Sequence, residues 1–293
     1  MSQTLTPNTA YRPAPSLYKW LVKNAGHLIT RSGGYIILSF VIFLPILWVG
    51  MTAFKNEVDA YSLNLFFTPT FNNFKELFTE PGSFFPLLKN TILVASGTVL
   101  ATIPLALLCA YGFSRYRILG EKTLLLWVLS TQFIPPVVIV IPFYTFFRSI
   151  RMLDSLTGLI IINLSFSLPF AIWLLKGFID GLPRAIEEAA VIDGCNIFQM
   201  LRHVVLPLAM PGIITASVFT FLQSWNEFLF ALILTNTKAT TMTIGLVAVA
   251  SGQEGVQWEI LSAAGFIVMI PMFMLAYSIR EYFVQGITMG AVK

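Results

Sequence analysis

The sequence predicts an all-α integral membrane protein with six transmembrane helices. Three observations lead there. Of 293 residues, 56% are hydrophobic and only 11% charged, whereas about a quarter of the residues in soluble domains are charged. Six nearly uncharged runs each reach about 20 residues, enough for a helix to cross a hydrocarbon core of about 30 Å. Between the fourth and fifth runs lies a polar, charged segment (about 177–205) that only a loop outside the bilayer can accommodate.

Residues 1–34 form a polar N-terminal segment with Arg12, Lys19, Lys23 and Arg31. Its part 17–29 sets Leu17, Trp20, Leu21 and Leu28 among Lys and Asn, which fits either a short interfacial helix or a disordered tail. The apolar runs are 35–54, 91–113, 123–147, 155–175, 206–234 and 260–279. Pro104 should bend the second and Pro135–Pro136 the third, because proline removes a backbone donor and crowds the preceding turn. In segment 55–88, residues 71–78 read as a short amphipathic helix at the membrane edge. In segment 235–259, residues 242–250 are too short and too interrupted by glycine to cross, so they should fold back against the bundle. There is no internal repeat. The domain reading is therefore one transmembrane domain over 35–285, followed by a tail over 286–293.

Charge decides the orientation. With the N-terminus inside, twelve basic residues fall on the cytoplasmic side: the four above, Arg115, Arg117, Lys122, Lys176, Arg184, Arg202, Arg280 and Lys293. Six fall outside: Lys55, Lys75, Lys89, Arg148, Arg151 and Lys238. The positive-inside rule then puts both termini, and the polar loop, in the cytoplasm. The net charge of +4 is scattered over short loops, which is membrane anchoring rather than a nucleic-acid footprint. Cys109 and Cys195 fall in different environments, and with two histidines no metal-ligating set forms. The first apolar run begins late and lacks a cleavage-site pattern, which argues against a removed signal peptide.

The polar loop reads as helix, glycine turn, helix. Pro183 suits a first helical position, and Glu187 and Glu188 fall in the first turn, where acidic groups favour the positive helix end. Gly194 can adopt the left-handed conformation that stops a helix, and Asn196 can cap the next one. Ala189 and Ala190 beside Glu188 make a narrow charged knob suited to a cleft in another protein.

Glu188-Ala189-Ala190, three residues, Gly194, nine residues, Val204, one residue and Leu206-Pro207 resemble the signature loop of ATP-binding-cassette (ABC) importer permeases. Val204 stands where Ile is common and Cys195 where Ala is common. Trp225-Asn226-Glu227 and the tail ending Gly286-Ile287-Thr288-Met289-Gly290 extend the resemblance to the carbohydrate-importer branch, which includes the maltose-importer permeases. The resemblance implies the type I ABC importer permease fold and location in the bacterial cytoplasmic (inner) membrane. It implies four kinds of partner: a second permease, two ABC ATPase subunits, an external solute-binding protein and the lipid bilayer. It also implies that Glu188, Ala189, Ala190, Asp193 and Gly194 dock into an ATPase cleft, with Glu188 pairing a basic residue there. Leu206 and Pro207 would set the start of the fifth helix, and the flexible tail at Gly286 and Gly290 would contact the ATPases.

No phosphate-cradling Gly-x-x-x-x-Gly-Lys-Ser/Thr loop is present, so no cofactor is expected on this chain. ATP and Mg belong to the partner ATPases, and nothing in the sequence makes this chain an enzyme by itself. Substrate-pathway candidates are Tyr144, Trp173, Trp225, Asn226 and Glu227. Glu227 is the acidic residue deep within a spanning run, which is by default functional. The alternative is an interhelical hydrogen-bonding cluster. No residue pattern selects among mono-, di- and oligosaccharides, alginate-type chains included. Two rival functions remain: an ABC permease for a non-sugar solute, and an ion-coupled carrier using Glu227, although such carriers show repeats that this chain lacks.

Overall fold

The structure is a computed structural model that describes residues 17–79, 84–250 and 255–291. Residues 1–16 of the N-terminal segment, and Val292 and Lys293 of the tail, lie outside the described residues. The chain divides into two compact units, 1–51 and 52–293. The first unit holds nearly all of one helix, α1 (Leu17–Thr52), unbroken through Pro45. The basic stretch 17–29 is thus helical and continuous with the first apolar run.

Among the described residues, every regular element of the second unit is helical. Two short helices, α2 (Glu57–Ala60) and α3 (Asn72–Leu77), precede α4 (Phe84–Arg115), which runs unbroken through Pro104. There follow α5 (Glu121–Ser130), a 3-10 turn (Thr131–Phe133), α6 (Pro136–Ser149) and α7 (Leu156–Asp180). The polar loop supplies α8 (Arg184–Ile192), α9 (Ile197–Met200), a π-helical turn (Leu201–Val205) and α10 (Leu206–Leu208). The chain closes with α11 (Met210–Trp225), α12 (Leu229–Leu234), α13 (Met242–Ala250) and α14 (Trp258–Ala291).

Among the described residues, four helices are long and apolar enough to cross a membrane singly, and the number is six if each of two bent pairs is one span. The third run bends by 93° between Phe133 and Pro136, as the consecutive prolines require. The fifth departs from expectation. Its helix turns by 77° between Leu208 and Met210 and breaks again at Asn226, so 206–234 is not one rod. Pro207 therefore sits inside short α10, and the spanning helix starts at Met210.

The core forms where α4, α7 and α11 meet. Ala106, Ala110, Ala171 and Ala216 are fully buried there beside Leu175 and Ile179. Small side chains let membrane helices approach closely enough for van der Waals packing, which substitutes for the absent hydrophobic drive. At Gly212 a Cβ would lie 2.5 Å from Cγ of Phe178, so only glycine admits that ring between α11 and α7.

Loops expected on one side of the membrane meet at one end of this unit. At the end expected outside, the Tyr61 hydroxyl donates to the Val256 carbonyl at 2.7 Å. Asn90 donates to the carbonyls of Lys238 and Thr240, each at 2.9 Å, and Asn73 reaches Ala53 and Lys55. Residues 242–250 form the expected short helix and pack on α4 and α14. At the opposite end, the C-termini of α4 and α7 meet α8. Since α4 has 32 residues, it is about 48 Å long at 1.5 Å per residue, well over the hydrocarbon thickness, and its terminal Arg115 can lie beyond the lipid.

Candidate coupling interface

Two caps and one glycine build the polar loop. Pro183 takes an extended conformation at the head of α8 rather than its first helical position, and Glu187 occupies the first turn. Gly194 has φ +85°, a region that side chains with a Cβ enter at a cost. The Cys195 N–H then reaches back to the Ala190 carbonyl at 3.0 Å. Asn196 caps α9 reciprocally. Its Oδ1 accepts from the Gln199 N–H, and its own N–H donates to Gln199 Oε1, both at 2.9 Å. Such a capping box satisfies two otherwise orphaned helix donors.

The loop has two faces. Glu188, Ala189, Asp193 and Gly194 are exposed together at the turn, beside Ile192, which is 86% exposed. Ala190 turns inward and joins Met200 and Val205 in the core. Leu206 and Pro207 are exposed on α10. An open groove lined by Arg184, Glu187, Glu188, Ile192 and Met200 runs beside the turn. An acidic, small-residue ridge flanked by exposed aliphatic groups is a surface shaped for a protein cleft.

Sequence reasoning singled out Glu188 and passed over Glu187, which the structure buries. Glu187 Oε1 accepts from Arg115 Nε at 2.7 Å and from a terminal guanidinium nitrogen at 2.6 Å. Its Oε2 accepts from the Tyr111 hydroxyl at 3.1 Å. Arg115 also donates to the carbonyls of Ile179 and Leu182, at 3.0 and 3.2 Å. Ser114 donates to Asp180 at 2.6 Å, and Lys176 bridges Asp180 and Glu121 at 2.8 and 3.1 Å. One polar chain thus ties α8 to α4, α7 and α5. Tyr111 and Arg115 are four residues apart on one helix face, a spacing that signals a shared partner.

The substrate-pathway candidates divide. Trp225 is 1% exposed and stacked on Phe221 at 5.3 Å between centroids, so its ring faces protein instead of open space. Asn226 is exposed at the break after α11, and its amide donates to the Leu222 carbonyl. Glu227 accepts from the backbone N–H of Phe230 at 2.7 Å and of Ala231 at 2.9 Å. Its carboxylate therefore satisfies the orphan donors that begin α12. Tyr144 packs with the cluster around Phe147 and Phe230, close to that same short helix. Trp173 is 47% exposed and lies 6.1 Å from Phe170. The backbone at Gly286 and Gly290 is helical, since α14 continues to Ala291, where a flexible tail was expected.

Asp154 was also missed. It sits at φ +51° between α6 and α7 and accepts from the backbone N–H groups of Asn236, Thr237, Lys238 and Ala239, at 3.0 to 3.2 Å. Burial pushes its carboxyl up, but the N–H groups of Ala239, Lys238 and Asn236 and the Thr237 hydroxyl outweigh that and hold it well below the usual carboxylate range.

Residues 102–289 match the family described as binding-protein-dependent transport system inner membrane component. The chain is 36% identical over 259 residues to a probable ABC transporter permease of Sinorhizobium fredii, covering 88% of this chain and 92% of the relative. It is 32% identical over 262 residues to the diacetylchitobiose uptake system permease DasC of Streptomyces coelicolor, covering 88% and 94%. Its fold is similar to that of a bacterial ABC transporter involved in the import of the acidic polysaccharide alginate. There the TM-score is 0.75 at 20% identity, with 93% of this chain and 100% of that chain covered.

Proposed function

This chain belongs to the binding-protein-dependent inner membrane transport components, and from that premise we propose that it is one of the two permease subunits of an ATP-driven importer for a carbohydrate, an oligosaccharide foremost. An external binding protein delivers the solute and two ABC ATPase subunits close on ATP and Mg. The loop 177–205 carries that closure into the spanning helices, which switch access by rigid-body movement. The chain itself holds no nucleotide. Both termini lie in the cytoplasm of a bacterium, with 1–34 and 286–293 flanking the transmembrane domain.

The protruding turn at Gly194 carries this reading. Its exposed face offers Glu188, Ala189, Asp193 and Ile192, while its buried face is bolted to α4 through Glu187. A loop that is both presented outward and anchored inward is what force transmission needs. The carbohydrate assignment is supported by the diacetylchitobiose relative and the alginate-importer fold. An ion-coupled carrier is disfavoured by Glu227, whose two carboxylate oxygens are already taken by backbone donors.

The decisive experiment is reconstitution of the complex in proteoliposomes. Uptake of labelled oligosaccharide should require ATP and the binding protein, and should be insensitive to a protonophore. Uptake that collapses with the proton gradient, or a chain that fails to co-purify an ABC ATPase, would overturn the proposal.

A further inference from the structure

The network around Arg115 holds buried charges that the docking surface does not need. Arg115 and Glu187 are about nine-tenths buried, and neither belongs to the exposed ridge at Glu188. Docking alone would be served by any helix that presents the ridge. The buried pair instead fixes where that ridge stands relative to α4 and α7, whose C-termini it joins.

We propose that Arg115 and Glu187 are positioning residues that transmit displacement of α8 to α4 and α7, so that the loop and these two helices move as one body. This rests on the reading that the loop 177–205 docks on an ATPase. The geometry is that of a strut. The guanidinium spends its donors in three directions: on the Glu187 carboxylate of α8, on the Ile179 and Leu182 carbonyls at the end of α7, and on Ser114 of its own helix. A single cationic group therefore fixes the end of α7, the start of α8 and the end of α4 relative to one another. Tyr111 holds the second carboxylate oxygen, which prevents Glu187 from rotating about the ion pair. Ser114 and Asp180 repeat the α4–α7 link at 2.6 Å, so the pair is braced against shear. By contrast, α9 and α10 make no polar side-chain contact with α4 or α7 among the described residues. That arm joins the core through apolar Met200 and Val205, so the directed polar links of the loop to α4 and α7 come from α8.

A substitution that leaves the ridge intact but cuts the strut should let the ATPase dock and close while the bundle lags. The test uses the full complex in nanodiscs with paired spin labels. One pair reports α8 against the ATPase, and the other reports the far ends of α4 and α7, at Lys89 and Thr157. Distances are read with and without AMP-PNP and Mg. In Glu187→Gln and Arg115→Lys, the α8 pair should respond as in the wild type. The nucleotide-driven change at the far ends should fall by roughly fivefold or more, the lower range for loss of a coupling term.

Should the single variants unfold, the double substitution R115M/E187L is the second arm. Replacing both members of a buried ion pair by apolar groups leaves stability near neutral, yet the directed bonds to Ile179 and Leu182 are gone. A stable double variant with a wild-type far-end response overturns the inference, as does a normal response in Glu187→Gln. Loss of the response with wild-type docking supports it. An ATPase absent from the wild-type complex would instead overturn the functional reading itself, so the two failures are distinguishable.

Discussion

Replacing Gly194 separates the conformation of the turn from the space around it. With φ at +85° and no atom within 4 Å of the place a Cβ would occupy, a larger residue meets no clash and suffers only the cost of the left-handed backbone. That cost is about 1–2 kcal/mol for an ordinary side chain and higher for a β-branched one, so Gly194→Val should lower the ratio of native to non-native turn by a factor of about 5–30. The apparent affinity for the ATPase falls by up to that factor, because only the competent fraction binds. Asn tolerates the left-handed region, so Gly194→Asn should stay near wild type. The assay is titration of purified ATPase onto the chain in nanodiscs, with thermal unfolding of the chain as a control that should barely shift. Equal losses in the Val and Asn variants would refute the reasoning, since they would mean that space at the interface, and not backbone conformation, sets the effect.

Glu227→Ala should cost about 1–2 kcal/mol, as expected for loss of a helix-capping acceptor, and show as a lower unfolding temperature. Glu227→Gln should keep ATP-driven uptake, and abolished uptake in a stably folded Gln variant would return the residue to the transport pathway. Asp154 links stability to pH. Its folded pKa is depressed, so its contribution is fully present above the unfolded value of about 3.9 and is lost as pH falls towards the lower folded value. Asp154→Asn should therefore be less stable than wild type at pH 7, and the gap should close in acid below about pH 4. A gap that widens in acid would contradict the carboxylate's role as an acceptor of the 236–239 backbone.

Much of the fold was legible because its determinants are local. Long uncharged runs leave a chain no soluble alternative, and Pro135–Pro136 place a bend whose angle alone the sequence withholds. Segments 55–88 and 235–259 were legible as loops expected on one side, but the contacts that join them, such as Tyr61 to Val256, were not. The break in the fifth run was harder. Residues 206–234 are uniformly apolar except around Asn226 and Glu227, and hydropathy does not report helix continuity. What interrupts the helix is a capping acceptor at Glu227 that competes for the backbone donors of Phe230 and Ala231, and an acidic group in an apolar run reads equally as a cap or as a pathway residue until the backbone is seen.

The conformation of the polar loop was read correctly at its turn and incompletely at its anchor, for one physical reason. Gly194 and Asn196 act through their own backbone, so their types alone predict a left-handed turn and a helix cap, found at φ +85° and as a capping box with Gln199. Glu187 acts through Arg115, 72 residues away, and nothing local marks an acidic residue in a first helical turn as buried. The signal available was the helical period. Glu187 and Ala190 are three apart and share the inward face of α8, while Glu188 and Ala189 face out. Once Glu188 and Ala189 are assigned to the exposed ridge, the period turns Glu187 towards the bundle beside Ala190, the motif alanine expected in the ATPase cleft. An inward carboxylate at that place requires a cation, and stranding it would cost about 3–5 kcal/mol. The basic residues expected on the same side at the end of α4 were Arg115 and Arg117, and only Arg115 is spaced by four from Tyr111, the other group that Glu187 needs. The motif thus fixes more than the surface it names: by choosing which face of α8 is outward, it also chooses which residue must tie the loop to the spanning helices.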